Sequence, residues 1–178
     1  DETGGYYHPD HIFCWKITTA AFDAAADPAA YPELGLPPYR PQRLYYTGFS
    51  NRMVKVFTWL MRLRGQDPKR AGRNKDIDWT RIGIEPRRLH AHIDYRRYWD
   101  AKRTAGAAHA SQGGGMARSR LLPEPIQRRW MATETFIRAY PPAPEGFRES
   151  DLFAGVELSD ERRATSKEQS ASSRLADN

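Results

Sequence analysis

Apolar residues return at three- and four-residue intervals over residues 9–26, where His11, Trp15, Thr18, Phe22 and Ala25 fall on one side. That spacing predicts a helix with a packed stripe. Pro9 suits a first helical turn and Asp27-Pro28 stops the run, because proline needs no donor at a helix start and cannot continue one. Tyr31 to Pro41 carries four prolines and reads as a loop. Arg43-Leu44-Tyr45-Tyr46-Thr47 is short, aromatic and apolar, as a buried strand requires. Ser50 or Asn51 can cap a second helix, with Met53, Phe57, Leu60 and Met61 on its packed side and Val54 and Val56 beside them.

Residues 65–80 are polar and basic without a period, so they form a loop that either overlies a pocket or lies in solvent. Leu89 to Asp94 alternates like a second strand, with His90 and His92 on the same side. A helix from about Tyr95 to His109 would align Tyr98, Ala101, Lys102, Ala105 and His109, and Gly113-Gly114-Gly115 breaks it. Pro125 can open a last helix with Ile126, Trp130, Thr133 and Ile137 on one side. From Ser159 the chain is polar with little to bury, which predicts disorder for residues 159–178.

Composition adds one consideration to this pattern. The apolar fraction is 39%, against about 45–50% in a typical domain, which implies a heavily solvated surface or a core partner outside this chain. Lys and Arg number 28 against 22 acidic residues, a net charge of +6. The cations are scattered and no nucleic-acid or nucleotide motif accompanies them, so nucleic-acid binding is not expected. Cys14 is the sole cysteine, which excludes an intrachain disulfide framework and favours a reducing, cytoplasmic setting. Between Phe13 and Trp15 it reads as a small buried hydrophobe. No apolar run reaches the roughly 20 residues of a membrane span, and oligomeric state is not legible.

Chemistry concentrates in Gly4-Gly5-Tyr6-Tyr7-His8-Pro9-Asp10-His11, with two imidazoles, a carboxylate and a phenol in eight residues. His8 and His11, three apart, share a side if the first turn is helical. Such a pair can contribute to a metal site but not complete it, since catalytic zinc usually takes three protein ligands and a water. Helix-capping or surface histidines fit the same spacing.

The run from Gly5 to His11, the helix after it, and Lys102 followed by His109-Ala110-Ser111-Gln112 resemble the C-terminal part of the LmbE-like enzymes, the PIG-L deacetylase family. Its members include the mycothiol-pathway deacetylase and mycothiol S-conjugate amidase. The resemblance implies a Rossmann-type three-layer α/β sandwich and a zinc-dependent hydrolase. Such an enzyme removes an N-acyl group from an amino sugar, or cleaves a glucosamine-linked, mycothiol-type conjugate.

By this resemblance His11 matches a zinc ligand, His8 the histidine that assists at the carbonyl, and Asp10 the carboxylate that tunes it. Tyr6 matches a mobile tyrosine that holds substrate and the developing oxyanion, and Tyr7 departs from the small residue common there. Asp94 and His109 match helix-end positions, with a substrate role open for His109, while Glu134 and Phe136 match a last helix. The family's His-Pro-Asp-Asp-Glu motif, which carries the other ligands and the general base, has no counterpart. The expectation is therefore an incomplete fold over residues 1–158 that lacks its N-terminal strands, with a small-molecule amino sugar as substrate. The alternative is a non-catalytic or split-enzyme module whose partner carries the His-Pro-Asp-Asp half.

Overall fold

The computed structural model describes residues 1–72, 75–109 and 123–157. Helix α1 spans Pro9–Ala25, strand β1 Leu44–Thr47, helix α2 Asn51–Leu63, strand β2 Ala91–Asp94, helix α3 Trp99–Ala108, helix α4 Glu124–Met131 and strand β3 Thr133–Tyr140. The strands form one sheet in the order β1-β3-β2, and both pairings are antiparallel. The chain thus mixes helix and strand in a way compatible with part of an α/β fold. The parallel sheet of a Rossmann-type sandwich does not occur among the described residues.

The central strand β3 corrects the sequence reading most. Ile126, Trp130, Thr133 and Ile137 fit one helical stripe, yet the helix ends at Met131 and Thr133–Tyr140 is extended. Thr133, Thr135 and Ile137 are β-branched and alternate with Glu134, Phe136 and Arg138, a pattern that suits a pleated, half-buried surface. Glu134 and Phe136 accordingly lie in a strand, not in a last helix. Ala132, between the two elements, is buried with Tyr95 and Trp99, whose rings stack at 6.0 Å.

Helix α1 lies against the sheet through aromatic contacts. Phe22 meets Tyr140 at 5.2 Å between ring centroids and Trp15 meets Tyr46 at 6.3 Å. The Thr19 hydroxyl donates to the Trp15 carbonyl at 2.8 Å and lies 2.8 Å from the Tyr46 hydroxyl. Of the predicted stripe only Phe22 is buried, while Thr18 and Ala25 are exposed. Cys14 is also exposed, contrary to its reading as a buried hydrophobe. These contacts run along the Trp15–Phe22 side of the helix, and Cys14 lies off that line.

On α2 the buried residues are Val54, Thr58 and Met61, and the expected core residue Met53 is exposed. The loop after α2 is organised on this helix. Ala71 and Ile77 exchange backbone hydrogen bonds, and the Trp79 ring lies 4.9 Å from that of Phe57. Asp94 accepts the Arg96 backbone N–H at 2.9 Å and also binds the Arg96 guanidinium, so it starts the turn that leads into α3. Lys102 pairs with Glu134, which ties α3 to β3. Among the described residues no helix is long and apolar enough to cross a membrane. Ser111-Gln112, Arg73 and the tail from Ser159 lie outside the described residues.

Candidate functional site

Residues 1–7 form a tight turn folded onto the start of α1. The Asp1 carboxylate accepts from the backbone N–H groups of Thr3 and Gly5 and from the Thr3 hydroxyl, at 2.8–3.1 Å. Gly4 and Gly5 adopt φ of +61° and +83°. At Gly4 a side chain is excluded twice over, since a Cβ there would stand 2.6 Å from the His11 Cβ and the left-handed backbone disfavours one. This close approach sets Tyr6 beside the first helical turn.

His8 is the N-cap of α1, and its Nδ1 accepts the Asp10 backbone N–H at 3.2 Å. An accepting Nδ1 places the proton of the neutral ring on Nε2. The Asp10 carboxylate stands 3.8 Å from the same Nδ1 and is largely exposed, too far for a hydrogen bond. The Tyr6 hydroxyl lies 3.3 Å from His11 Nε2. The rings of Tyr6, His8 and His11 form a triangle with centroid separations of 4.7, 5.6 and 5.8 Å. All four sequence-predicted site residues, Tyr6, His8, Asp10 and His11, thus meet at one helix end.

His11 and Asp10 line a cleft of about 430 Å³ between α1 and β1, whose other walls include Asp1, Cys14, Trp15, Thr18 and residues 44–47. Sequence reasoning missed the β1 wall and Cys14, because nothing local to Tyr45 or Tyr46 announces a neighbour some 30 positions away. Tyr7 has a positive φ of 67°, and the Arg81 guanidinium lies 4.6 Å from its ring centroid. Arg81 therefore stands next to the site.

The remaining histidines have their own places. His90 is buried, its Nδ1 accepts the Arg138 backbone N–H at 3.1 Å, and burial, with help from the Arg138 and Arg148 charges, holds its pKa below the usual value. His92 Nε2 lies 3.1 Å from the Leu89 carbonyl oxygen. His109 is the exposed C-cap of α3. A second polar cluster, not legible in the sequence, joins Tyr45, Arg138 and Glu149. The tyrosine hydroxyl donates to Glu149 at 3.0 Å, and Arg138 pairs with the other carboxylate oxygen at 3.2 Å.

Among the described residues no group of three or more His, Cys, Asp or Glu converges to hold a metal. His11, exposed at a helix start with Nε2 bonded only to a tyrosine hydroxyl, fits one corner of a zinc site rather than a whole one.

No protein-family model matches the chain. The mycothiol S-conjugate amidase of Streptomyces coelicolor is 34% identical over 161 residues, which are 88% of this chain and 53% of the relative. Two proteins named 1D-myo-inositol 2-acetamido-2-deoxy-alpha-D-glucopyranoside deacetylase are similarly placed. The one from Streptomyces griseus is 33% identical over 162 residues, covering 88% of this chain and 48% of the relative. The one from Rhodococcus erythropolis is 34% identical over 170 residues, covering 88% and 52%. The chain spans about half the length of these curated relatives.

Proposed function

We propose that the chain belongs to the LmbE-like, PIG-L family and that the complete protein hydrolyses an amide bond on a glucosamine-linked small molecule. The relatives' names carry the substrate class, since one is an amidase of a mycothiol conjugate and the others remove acetyl from an acetamido sugar. The observation that carries the reading is the meeting of Tyr6 and His8 with His11, which lines a cleft.

In this reading His11 supplies one ligand to a zinc ion, and the other ligands and the general base come from polypeptide beyond this chain. Bound zinc would acidify a water and polarise the amide carbonyl. His8 carries its proton on Nε2, because Nδ1 is engaged by the Asp10 N–H. It is thereby set to donate a hydrogen bond to the carbonyl oxygen as negative charge develops, while the departing amine takes up the proton that the general base removes from the water. Tyr6 exchanges its contact with His11 for a hydrogen bond to the oxyanion. Water oxygen adds to the carbonyl carbon, the C–N bond breaks, and a carboxylate and a free amine result. Cys14, single and exposed, suits a reducing cytoplasm.

His11→Ala in the complete protein abolishes stoichiometric zinc binding and turnover; retention of both overturns the assignment. The absence of a converging donor trio among the described residues favours a companion reading, in which this polypeptide alone is a non-catalytic half. Zinc titration of the isolated chain separates the two. Tight one-to-one binding by the chain alone dismisses the companion reading.

A further inference from the structure

Gly4, Gly5 and Tyr7 all hold a positive φ, and only the last of them has a side chain to object. For glycine that region carries no steric penalty. Tyr7, at +67°, meets the Cβ clash that makes the left-handed backbone unfavourable for a bulky residue. Such strain persists where surrounding contacts impose it. Two contacts hold Tyr7. Its backbone N–H donates to the Thr3 carbonyl at 2.7 Å, and the Arg81 guanidinium lies 4.6 Å from its ring centroid. The first stays within the turn, whereas the second comes from a distant part of the chain.

Arg81 reaches that ring from a braced support. It ends a 3₁₀ turn over Trp79–Arg81, which Asp78 caps by accepting the Thr80 backbone N–H at 2.9 Å. The Trp79 ring packs on Phe57 at 4.9 Å and on Phe49 at 6.3 Å. Its backbone N–H donates to the Pro68 carbonyl at 2.9 Å, and Ile82, next in the chain after Arg81, is buried. Helix α2, through Phe57, thus steadies the base from which Arg81 extends. Asp78 feels the Arg81 charge, yet among the described residues no carboxylate stands within 4.0 Å of the guanidinium. No ion pair there competes with the Tyr7 ring.

We propose that Arg81 is a positioning residue of the site, acting through Tyr7. The inference rests on the functional reading above and adds a residue to it. Tyr7 stands between Tyr6 and His8, the two groups assigned to the oxyanion, so its backbone angle sets the direction in which each leaves the turn. With the ring held by Arg81 the turn keeps its positive φ. With the ring released, Tyr7 relaxes toward negative φ and the Tyr6 and His8 side chains diverge. At an exposed site a cation–π contact biases such an equilibrium by roughly two- to fivefold.

The experiment is a double-mutant cycle in the complete protein, with acetate release from a 2-acetamido-2-deoxyglucosyl inositol as the assay. Arg81→Ala and Tyr7→Ala each lower kcat by roughly two- to fivefold with KM unchanged, because the displaced groups act on the transition state. Tyr7→Phe keeps the ring and behaves like the wild type, and Arg81→Lys keeps the cation and recovers part of the loss. Glycine adopts the positive φ unaided, so in a Tyr7→Gly background Arg81→Ala changes nothing further. An unchanged kcat in Arg81→Ala, a raised KM, or a loss that persists in the Tyr7→Gly background overturns the proposal, since Arg81 would then be idle, meet substrate directly or serve the fold at large. Imidazole chemical shifts of His8 and His11 supply a readout that needs no turnover: they move in Arg81→Ala, and with Tyr7→Gly they are the same whether or not Arg81 is present. A wild type that releases no acetate while those shifts follow the cycle defeats the functional reading and leaves the positioning role standing. Acetate release with shifts that ignore Arg81→Ala does the reverse.

Discussion

At the scale of single residues, Gly4 and His90 carry the sharpest consequences. In Gly4→Ala the new Cβ meets the His11 Cβ at 2.6 Å with φ at +61°, so the turn must lift from α1. The expected cost is about 1–3 kcal/mol, read as a lower Tm, with a weaker Tyr6–His11 contact visible in imidazole chemical shifts. His90 gives a dependence on pH. Facing Arg138, Arg148, Arg88 and Glu149 in a buried position, its folded pKa is depressed. The unfolded chain therefore binds a proton first as pH falls through about 6.5. The stability that neutral His90 contributes is complete above that pH and is lost as pH descends toward the folded value. Thermal melts between about pH 7 and pH 5 should show a decline that His90→Gln flattens. The proximity of Tyr6, His8, Asp10 and His11 was legible in the sequence because all lie within six consecutive positions, where spacing alone brings them together. The bond from His8 Nδ1 to the Asp10 backbone was not, since capping geometry depends on the turn that Gly4 permits.

Among the elements, α1, β1, α2 and β2 follow the sequence pattern within a few residues, because each has one clear period between proline or glycine breaks. The exception is the stretch from Glu124 to Tyr140, where residues at helical spacing straddle a helix and a strand. Pairing with both β1 and β2 decides the outcome for β3, and that information lies some 40 to 90 positions away in the chain. The same distance hides the cluster at the sheet's far end. Arg138 and Glu149 keep only 14% and 8% of their side chains exposed, and the Glu149 segment is bonded to His90 and His92 through its backbone. Glu149→Gln leaves the guanidinium uncompensated, with an expected destabilisation of about 3 kcal/mol measured by urea denaturation. The double variant Arg138→Met with Glu149→Gln recovers part of that loss. Full additivity of the two changes would show that the pair is not coupled.

Taken as a whole, the molecule buries little. Among the described residues ten apolar side chains are buried and Leu89 is the only large one fully enclosed, whereas sixteen large apolar side chains are exposed. A chain with this balance gains little cooperativity from its core. The isolated polypeptide should melt broadly and scatter as more than a monomer at high concentration. A steep melt of a monodisperse isolated chain would contradict this view. The burial of Phe22, alone among the side chains of α1, has one more consequence. Phe22 sits eleven residues beyond His11, about 16 Å along the axis, so α1 acts as a lever pivoted on the Tyr140 ring. Repacking that pivot with a smaller residue should swing the imidazole through an arc, so that the tip of the rod is displaced from its far end with every group there intact.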